Sequence, residues 1–507
     1  MNTKIRSRKA LLTTSTISHN KKTMKMKKKT SSNRFVRWGL WAIAFLPSAC
    51  TLPPQFVPSA ENRNVPATFP AVAQDTLTTA KVAWKKFFTD QNLLVLIDTA
   101  LRNNQEVNIL LQEINITQNE IRARKGEYLP FVSINAGAGV DKVGKYTRSG
   151  AVEENLEIAP ETKFPEPLPD YMLGAFASWE VDIWSKLHNA KRSSLLRYLA
   201  TVEGRNFMIT QLVSEIANSY YELMALDNQL DILRKNIEIQ TNALEIVRLE
   251  KKAARVTELA VKKFEAEVLK NQSRQYDIMQ QIIEIENRIN FLTGRFPHPI
   301  QRSSQTFNDL VPDTVYAGIP SQLLYNRPDI RQSELELEAA KVDVKVAKAN
   351  FYPSIRLTAG VGFQAFNPSY LFTTPQSLIY SLGGELIAPL VNRNAIKANY
   401  YSANSRQIQA VYDYQQTILT AYIEVVNQLS NIANLRRSFD LKTKQVAALT
   451  ESINISTYLF KSARADYMEV LMTQRDALES KFELIDTKKQ QMNAMVNFYR
   501  ALGGGWR

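Results

Sequence analysis

The feature that most constrains this chain is a long run from which the two residues that end helices are nearly missing. Between Pro169 and Pro297 there is no proline, and from Leu187 to Thr293 the only glycine is Gly204. A helix needs a backbone N–H at each position and little spare backbone freedom, so this composition is written for helix. Within it Ile209, Leu212, Ile216, Ser219, Leu223, Leu226, Leu230, Leu233, Ile237, Gln240, Leu244 and Val247 lie alternately three and four positions apart, and ten of the twelve are apolar. That is a heptad seam, which implies coiled-coil packing with a left-handed supercoil. A helix from about Leu187 to Lys252 would reach on the order of 100 Å, too long for a compact domain. The spacing predicts a turn at Ala253-Ala-Arg-Val-Thr257 and a return helix closing at Phe291-Leu-Thr-Gly-Arg-Phe-Pro297.

The pattern is written twice. From Arg393 a second coil carries Ile408, Val411, Ile418, Tyr422, Val425, Leu429, Ile432, Phe439, Val446 and Ile453 on a heptad register, breaks near Ser462-Ala-Arg-Ala-Asp466 and returns to Ala501-Leu-Gly-Gly-Gly-Trp506. Upstream of each coil a helical stretch switches at a proline to strand-like alternation. After Pro130, Val132, Ile134, Ala136, Ala138 and Val140 share one face; after Pro353, Ile355, Leu357, Ala359, Val361 and Phe363 do. Pro130 and Pro353 are displaced by 223 positions, whereas Ala254 and Ala463, like Gly294 and Gly503, are displaced by 209. The first copy therefore carries about fourteen extra residues, and its acidic, proline-bearing loop over 141–170 is their natural place. Strands are expected at about 131–142, 171–183, 354–366 and 377–388, a single helix over 92–127, and a helix start at Asn326-Arg-Pro-Asp-Ile330 with Asn326 as the cap.

The formal net charge of +14 would suggest nucleic acid, but residues 1–49 hold twelve Lys or Arg and no Asp or Glu, so the excess belongs almost entirely to a leader and nucleic acid is not expected. After its basic part comes Trp38-Gly-Leu-Trp-Ala-Ile-Ala-Phe-Leu-Pro-Ser-Ala49 and then Cys50, the only cysteine. A basic region, a short apolar core and small residues before a cut describe a secretory signal. A lone thiol after Ser48-Ala49 is the pattern of a bacterial lipoprotein, with Pro47 where a bulky aliphatic residue usually stands. Translation is expected to start at Met24 or Met26, because residues 1–23 only lengthen the basic region. The organisation read here is a signal peptide over 1–49, a lipid-anchored irregular arm over 50–91, a first structural repeat over 92–296, a linker over 297–322 and a second repeat over 323–507.

Four amphipathic strands cannot close on themselves, and an open edge in lipid leaves backbone groups unpaired at several kcal/mol each. Several chains must then share one barrel, with Ser133, Asn135, Glu180, Asp182, Arg356, Thr358 and Gln364 toward a wet lumen. If the chains assemble with parallel axes, Arg464, Asp466 and Glu469 at the second coil's tip become rings of charge able to close or filter a pore mouth. No catalytic constellation stands out, His19, His188 and His298 are too scattered for a metal, and Gly139-Val-Asp-Lys-Val-Gly-Lys145 lacks the Ser or Thr and the following helix of a phosphate loop. The chain is read as a non-enzyme with no cofactor and no metal.

Ile319-Pro-Ser-Gln-Leu-Leu-Tyr-Asn-Arg-Pro-Asp-Ile-Arg-Gln-Ser-Glu334, Ala347-Lys-Ala-Asn-Phe-Tyr-Pro-Ser-Ile355 and Ala501-Leu-Gly-Gly-Gly-Trp506 closely resemble the outer-membrane efflux proteins of the TolC superfamily, nearest to its OprM and CusC lipoprotein branch. The resemblance covers nearly everything after the arm. It implies a mixed α and β membrane protein, internally duplicated, whose four strands per chain contribute to a trimeric twelve-stranded β-barrel, with a long coiled-coil α-barrel through the periplasm. It also implies a homotrimer anchored in outer-membrane lipid, working with a periplasmic adaptor and an inner-membrane pump of the resistance-nodulation-division type to export small molecules. The alternatives are a protein-export duct of a type I secretion system and a non-channel surface lipoprotein with coiled-coil stalks. The helix tips, Ala253, Ala254 and Arg255 with Ser462 and Ala463, correspond to the places where the family's adaptors dock, although the family often has glycine where this chain has Ala254 and Ala463. Of two acidic positions that family members commonly carry beyond the second tip, Glu469 matches one and Met472 stands at the other.

Overall fold

The computed structural model describes residues 60–70, 76–310, 316–391, 393–462 and 464–507. Cys50, the leader and Ala463 lie outside them. In chain order the elements are α1 (Trp84–Phe87), α2 (Gln91–Asn103), α3 (Gln105–Glu127), β1 (Phe131–Asp141), α4 (Arg148–Asn155), β2 (Glu157–Ala159), β3 (Thr162–Lys163), β4 (Leu168–Val181), α5 (Lys186–Lys252) and α6 (Glu258–Leu292). They continue with α7 (Leu323–Asn326), α8 (Pro328–Ala349), β5 (Ser354–Ala365), β6 (Leu378–Ile387), α9 (Asn394–Lys461) and α10 (Tyr467–Ala501). No helix among the described residues is long and apolar enough to cross a membrane.

β1, β4, β5 and β6 form one antiparallel sheet in that order. The two hairpins have equivalent registers: Phe131 opposes Ser178 as Ser354 opposes Ile387. Between them Ala175 opposes Val361 and Leu173 opposes Phe363, so the apolar residues of all four strands share one face. On the other face Gly174 and Gly360 make room for the Phe176 ring, a Cβ on Gly360 falling 2.7 Å from it, while Gly362 lies against the Gly174 and Leu173 backbone.

The seam of α5 is a core element along its length: of the twelve heptad positions only Ile237 is not buried. Tyr220, Leu223, Met224 and Ile289 pack with Leu93, Ile97 and Tyr499 in the largest cluster, while Leu226, Leu230 and Leu233 meet Ile278, Leu478 and Phe482. Burial of apolar side chains at roughly 25 cal/mol per Å² holds these helices together, since isolated helices gain little from propensity.

Several expectations need correction. The helix over 92–127 is two helices, because the buried Asn104 turns its carbonyl-side oxygen to the Val107 amide and starts α3 as a cap. Asn326 does not cap the later helix; it ends α7, and Arg327 stands at the start of α8 with Pro328 in its first turn. The arm is not irregular throughout, since Trp84 and Phe88 are core residues around α1. The acidic loop contains α4 and the β2–β3 hairpin, with the Thr147 hydroxyl accepting from the Gly150 amide. β4 begins earlier and ends earlier than alternation alone places it, and Asp182 lies beyond it. In α9 the buried line is Tyr400, Asn404, Gln407, Val411, Tyr414, Ile418, Ala421 and Val425, so of the ten expected positions only Val411, Ile418 and Val425 are fully buried. Packing against both α8 and α10 moves the seam onto residues too small or too polar for an apolar template.

Candidate functional site

The α5–α6 turn closes by the hydrogen bonds that end many helices: the Ala254 amide donates to Lys251 O at 2.9 Å and the Arg255 amide to Glu250 O at 2.9 Å. This closure puts Ala254 at φ 55°, in the left-handed region where a Cβ costs energy and glycine is preferred. At the second tip the Arg464 amide donates to Leu459 O at 2.9 Å, the equivalent bond, and the Ser462 amide to Tyr458 O. Thr257 caps α6 through its hydroxyl, whereas Asp466 precedes α10 without a side-chain cap and Glu469 lies in that helix's first turn.

The two tips lie at the same end of the fold. Tyr467, Met468 and Leu471 of α10 pack with Leu244, Val247, Val261, Phe264 and Val268, and the Lys263 ammonium is 3.5 Å from the Met468 sulfur. Arg464, Asp466 and Glu469 are exposed, and none of the three forms an ion pair among the described residues. The first tip differs, with Lys251 paired to Glu258 and Lys262 2.8 Å from Glu265. Hydrogen bonding from Lys251 holds the Glu258 carboxyl below its ordinary pKa. Such exposed pairs are screened by water and salt.

Farther along the coil, the seam carries a polar layer. Asn271 of α6 donates to the Gln240 carbonyl oxygen of α5 at 2.8 Å, both side chains being 1 % exposed or less. Beyond it, Arg274 and Glu479 join α6 to α10 at 2.6 Å, with the guanidinium 4.1 Å from the Phe482 ring centre.

At the strand end, Ser133, Asn135, Glu180, Arg356, Thr358 and Gln364 share the sheet face opposite the apolar one, as the registers require. Gln364 donates to Asp170 at 2.9 Å. Asp182 is not a member of that face: it accepts from the Leu187 and His188 amides and contacts the His188 ring at 2.6 Å, fixing the start of α5. Burial works to raise the Asp182 pKa, but these hydrogen bonds from His188 and Leu187 outweigh it and hold the group low. The Trp184 indole donates to Pro353 O at 2.8 Å and stacks on Tyr352, while Trp179 donates to Tyr128 O at 3.0 Å. Both switch prolines thus stand beside tryptophan-anchored junctions of helix and sheet.

Sequence reasoning missed the buried Arg327. Its guanidinium bonds Asp329 at 2.6 Å, Glu424 at 2.7 Å and Ala501 O at 2.9 Å. Burial disfavours its charge, but Asp329 and Glu424 outweigh that and raise its pKa. The Arg-Pro-Asp string was the available signal, since a basic residue two before an acidic one around a helix-starting proline is placed to pair with it.

The family described as "Outer membrane efflux protein" matches residues 96–295 and 319–504, the two segments corresponding to the two repeats, and the chain belongs to it. The Pyoverdine export outer membrane protein OpmQ of Pseudomonas aeruginosa is 28% identical over 428 residues, 84% of this chain and 87% of its own. The Cation efflux system protein CusC of Escherichia coli strain K12 is 25% identical over 92% of this chain and 98% of its own. Among solved structures, a membrane protein from Pseudomonas aeruginosa superposes with a TM-score of 0.79 at 24% identity, over 90% of this chain and all of that one. The open state of the Neisseria gonorrhoeae MtrE outer membrane channel gives 0.78 at 21% identity, over 90% and 98%. The protein is thus an outer-membrane efflux protein whose duplicated fold is that of the known channels.

Proposed function

We propose that three copies of this chain close a twelve-stranded barrel in the outer membrane and a helical tube beneath it, forming a passive duct for small molecules in a tripartite efflux system. The observation that carries the reading is the four-stranded sheet with one apolar face and two open edges, β1 and β6. Such a sheet is stable in lipid only when both edges are paired by other chains. In this reading Arg464, Asp466 and Glu469 ring the periplasmic aperture, and Ala253, Ala254, Arg255, Ser462 and Ala463 meet the adaptor, with a resistance-nodulation-division pump supplying the energy. Curated relatives named for pyoverdine, solvent, toluene and cations support a small-molecule or ion cargo.

Cys50 is proposed as the lipid-bearing residue. The described arm supports it: Glu61 bonds Lys341 at 2.9 Å, Arg63 bonds Glu334 at 3.0 Å, and Phe69 stacks on Tyr422, so the arm is fastened along α8 and α9. Mass spectrometry of the mature N-terminus tests this, and an unmodified Cys50 overturns it.

Planar-bilayer conductance tests the duct. Purified wild-type protein is expected to give small, low-probability openings, and Asp466→Ala with Glu469→Ala to raise conductance severalfold by removing like charge and its counter-ions from the mouth. No conductance from either protein would overturn the pore.

A further inference from the structure

The two repeats of one chain already display how one repeat meets the next. Ser193 and Arg197 of α5 both hold Asp343 of α8, the hydroxyl at 2.6 Å from the carboxylate. The internal duplication assigns each of these a counterpart. α6 and α10 begin and end at equivalent places, Glu258 with Tyr467 and Leu292 with Ala501, and α5 and α9 end together at Lys252 and Lys461. α3 and α8 begin together at Gln105 and Pro328, and β1 and β5 at Phe131 and Ser354. Carried across this correspondence, Ser193 and Arg197 become Ser402 and Arg406 on α9, and Asp343 becomes Glu120 on α3. The chemistry survives at all three positions: a hydroxyl, a guanidinium and a carboxylate. Yet Arg406 and Glu120 are exposed, and neither has an ion-pair partner among the described residues.

A second contact carries over in charge alone. Arg274 of α6 and Glu479 of α10 pair within the chain, and their counterparts are Glu483 and Lys270, the same pair with its signs exchanged, although Glu483 also meets Lys442 and Lys270 meets Glu267 in their own chain. Complementary charge at a position where sign has reversed on both sides is what a retained contact leaves behind.

The sheet supplies an independent check. β4 and β5 are the strands through which repeat meets repeat, with Leu173 opposite Phe363. Transferring that register to the two free edges sets Leu382 of β6 opposite Val140 of β1, and Leu386 opposite Ala136. These residues all belong to the apolar face, so the transferred register keeps the alternation intact, whereas a slip of one residue would turn the apolar face of one strand to the polar side.

We propose that the seam between neighbouring copies repeats the seam inside the chain: Ser402 and Arg406 of one copy clamp Glu120 of the next, and β6 pairs with β1 of that copy with Leu382 opposite Val140. The proposal rests on the trimeric reading above and adds which residues meet. A second copy is the occupant because the surface that would receive it has the chemistry of a contact this chain already makes with itself.

Charge exchange and disulfide trapping test it in outer-membrane vesicles, with the parent chain, whose one cysteine is Cys50, as control. Arg406→Glu and Glu120→Arg are each expected to lower the temperature at which the detergent-resistant oligomer dissociates, and the double exchange to restore most of the loss. Leu382→Cys with Val140→Cys is expected to give covalent oligomers up to trimer on oxidation, because directly opposed residues have Cβ atoms about 4.5–5.5 Å apart. Leu382→Cys with Ile134→Cys is expected to give none. A trimer in which the two charge changes add without rescue, or in which the off-register cysteines trap and the in-register ones do not, overturns this seam while leaving the trimer standing. A particle that is monomeric by light scattering in mild detergent overturns the trimeric reading itself.

Discussion

At the same place in the two repeats stand an asparagine and an arginine, and each reaches the same carbonyl. Asn104 donates to Leu292 O at 2.9 Å and Arg327 to Ala501 O at 2.9 Å. The glycines that follow those carbonyls are also matched: Gly294 at φ 67° lies against Asn103 O and Gly503 at φ 90° against Asn326 O, where a Cβ would fall 2.4 Å and 2.5 Å away. The duplication has therefore kept a backbone geometry while exchanging the side chain that satisfies it. The exchange has consequences. A neutral amide needs little else, so Asn104 spends its other end capping α3; a buried guanidinium needs counter-charges, and Asp329 and Glu424 provide them.

The largest expected effect follows from that difference. Arg327→Ala leaves two carboxylates facing a buried gap and should destabilise by about 3–5 kcal/mol, whereas Asn104→Ala loses a cap and one hydrogen bond, about 1–3 kcal/mol. Thermal unfolding in detergent measures both, and equal losses would mean that the charge adds nothing to the joint. At the tips, Ala254→Gly should stabilise the α5–α6 turn by roughly 1 kcal/mol, because the left-handed backbone no longer carries a Cβ. Slower proteolysis at the tip would show it, and faster cleavage would count against strain there.

The smallest effect concerns the start of the arm, where Glu61 and Arg63 pair with Lys341 and Glu334 of the second repeat. The positions matching Glu334 and Lys341 in the first repeat are Leu111 and Gln118, which offer no charge. Hydrogen bonding from Lys341 holds the Glu61 carboxyl below its ordinary 4.5. Its contribution is thus complete above that value and is lost as the pH falls through the lower folded one. Being partly exposed, it amounts to about 0.2–1 kcal/mol. Protease cleavage of the arm should rise on acidification below about pH 4.5 and lose that dependence in Lys341→Met; an unchanged profile would detach the arm's hold from this pair.

Much of the fold was legible because long-range order here is periodic. The α5 seam, the switch prolines and the two displacements all follow from spacing, and spacing survives divergence. What stayed hidden was local and chemical. The α2–α3 break depends on one asparagine finding a carbonyl nearly two hundred residues away. The α9 seam uses Gln407, Tyr414 and Ala421, which no apolar template selects, because two helices share that face. At the tips the sequence pointed to Arg464, Asp466 and Glu469 by analogy of position, and a single chain leaves them solvated, since a ring of charge is a property of the assembly. Ala254 was noticed only as a missing glycine; the positive φ gives that substitution a physical meaning.

The amide pair of Gln240 and Asn271 has one more implication. Hydrophobic heptads tolerate sliding, since a leucine moved by seven positions finds another leucine. Two buried amides joined by a hydrogen bond do not, because any slip breaks it and leaves the Asn271 donor and the Gln240 oxygen among hydrocarbon side chains. A slip of one heptad would also shift the tip by roughly 10 Å. The pair therefore works as a graduation mark, converting a greasy coil into a rod of defined length and fixing how far from the sheet the tip must stand.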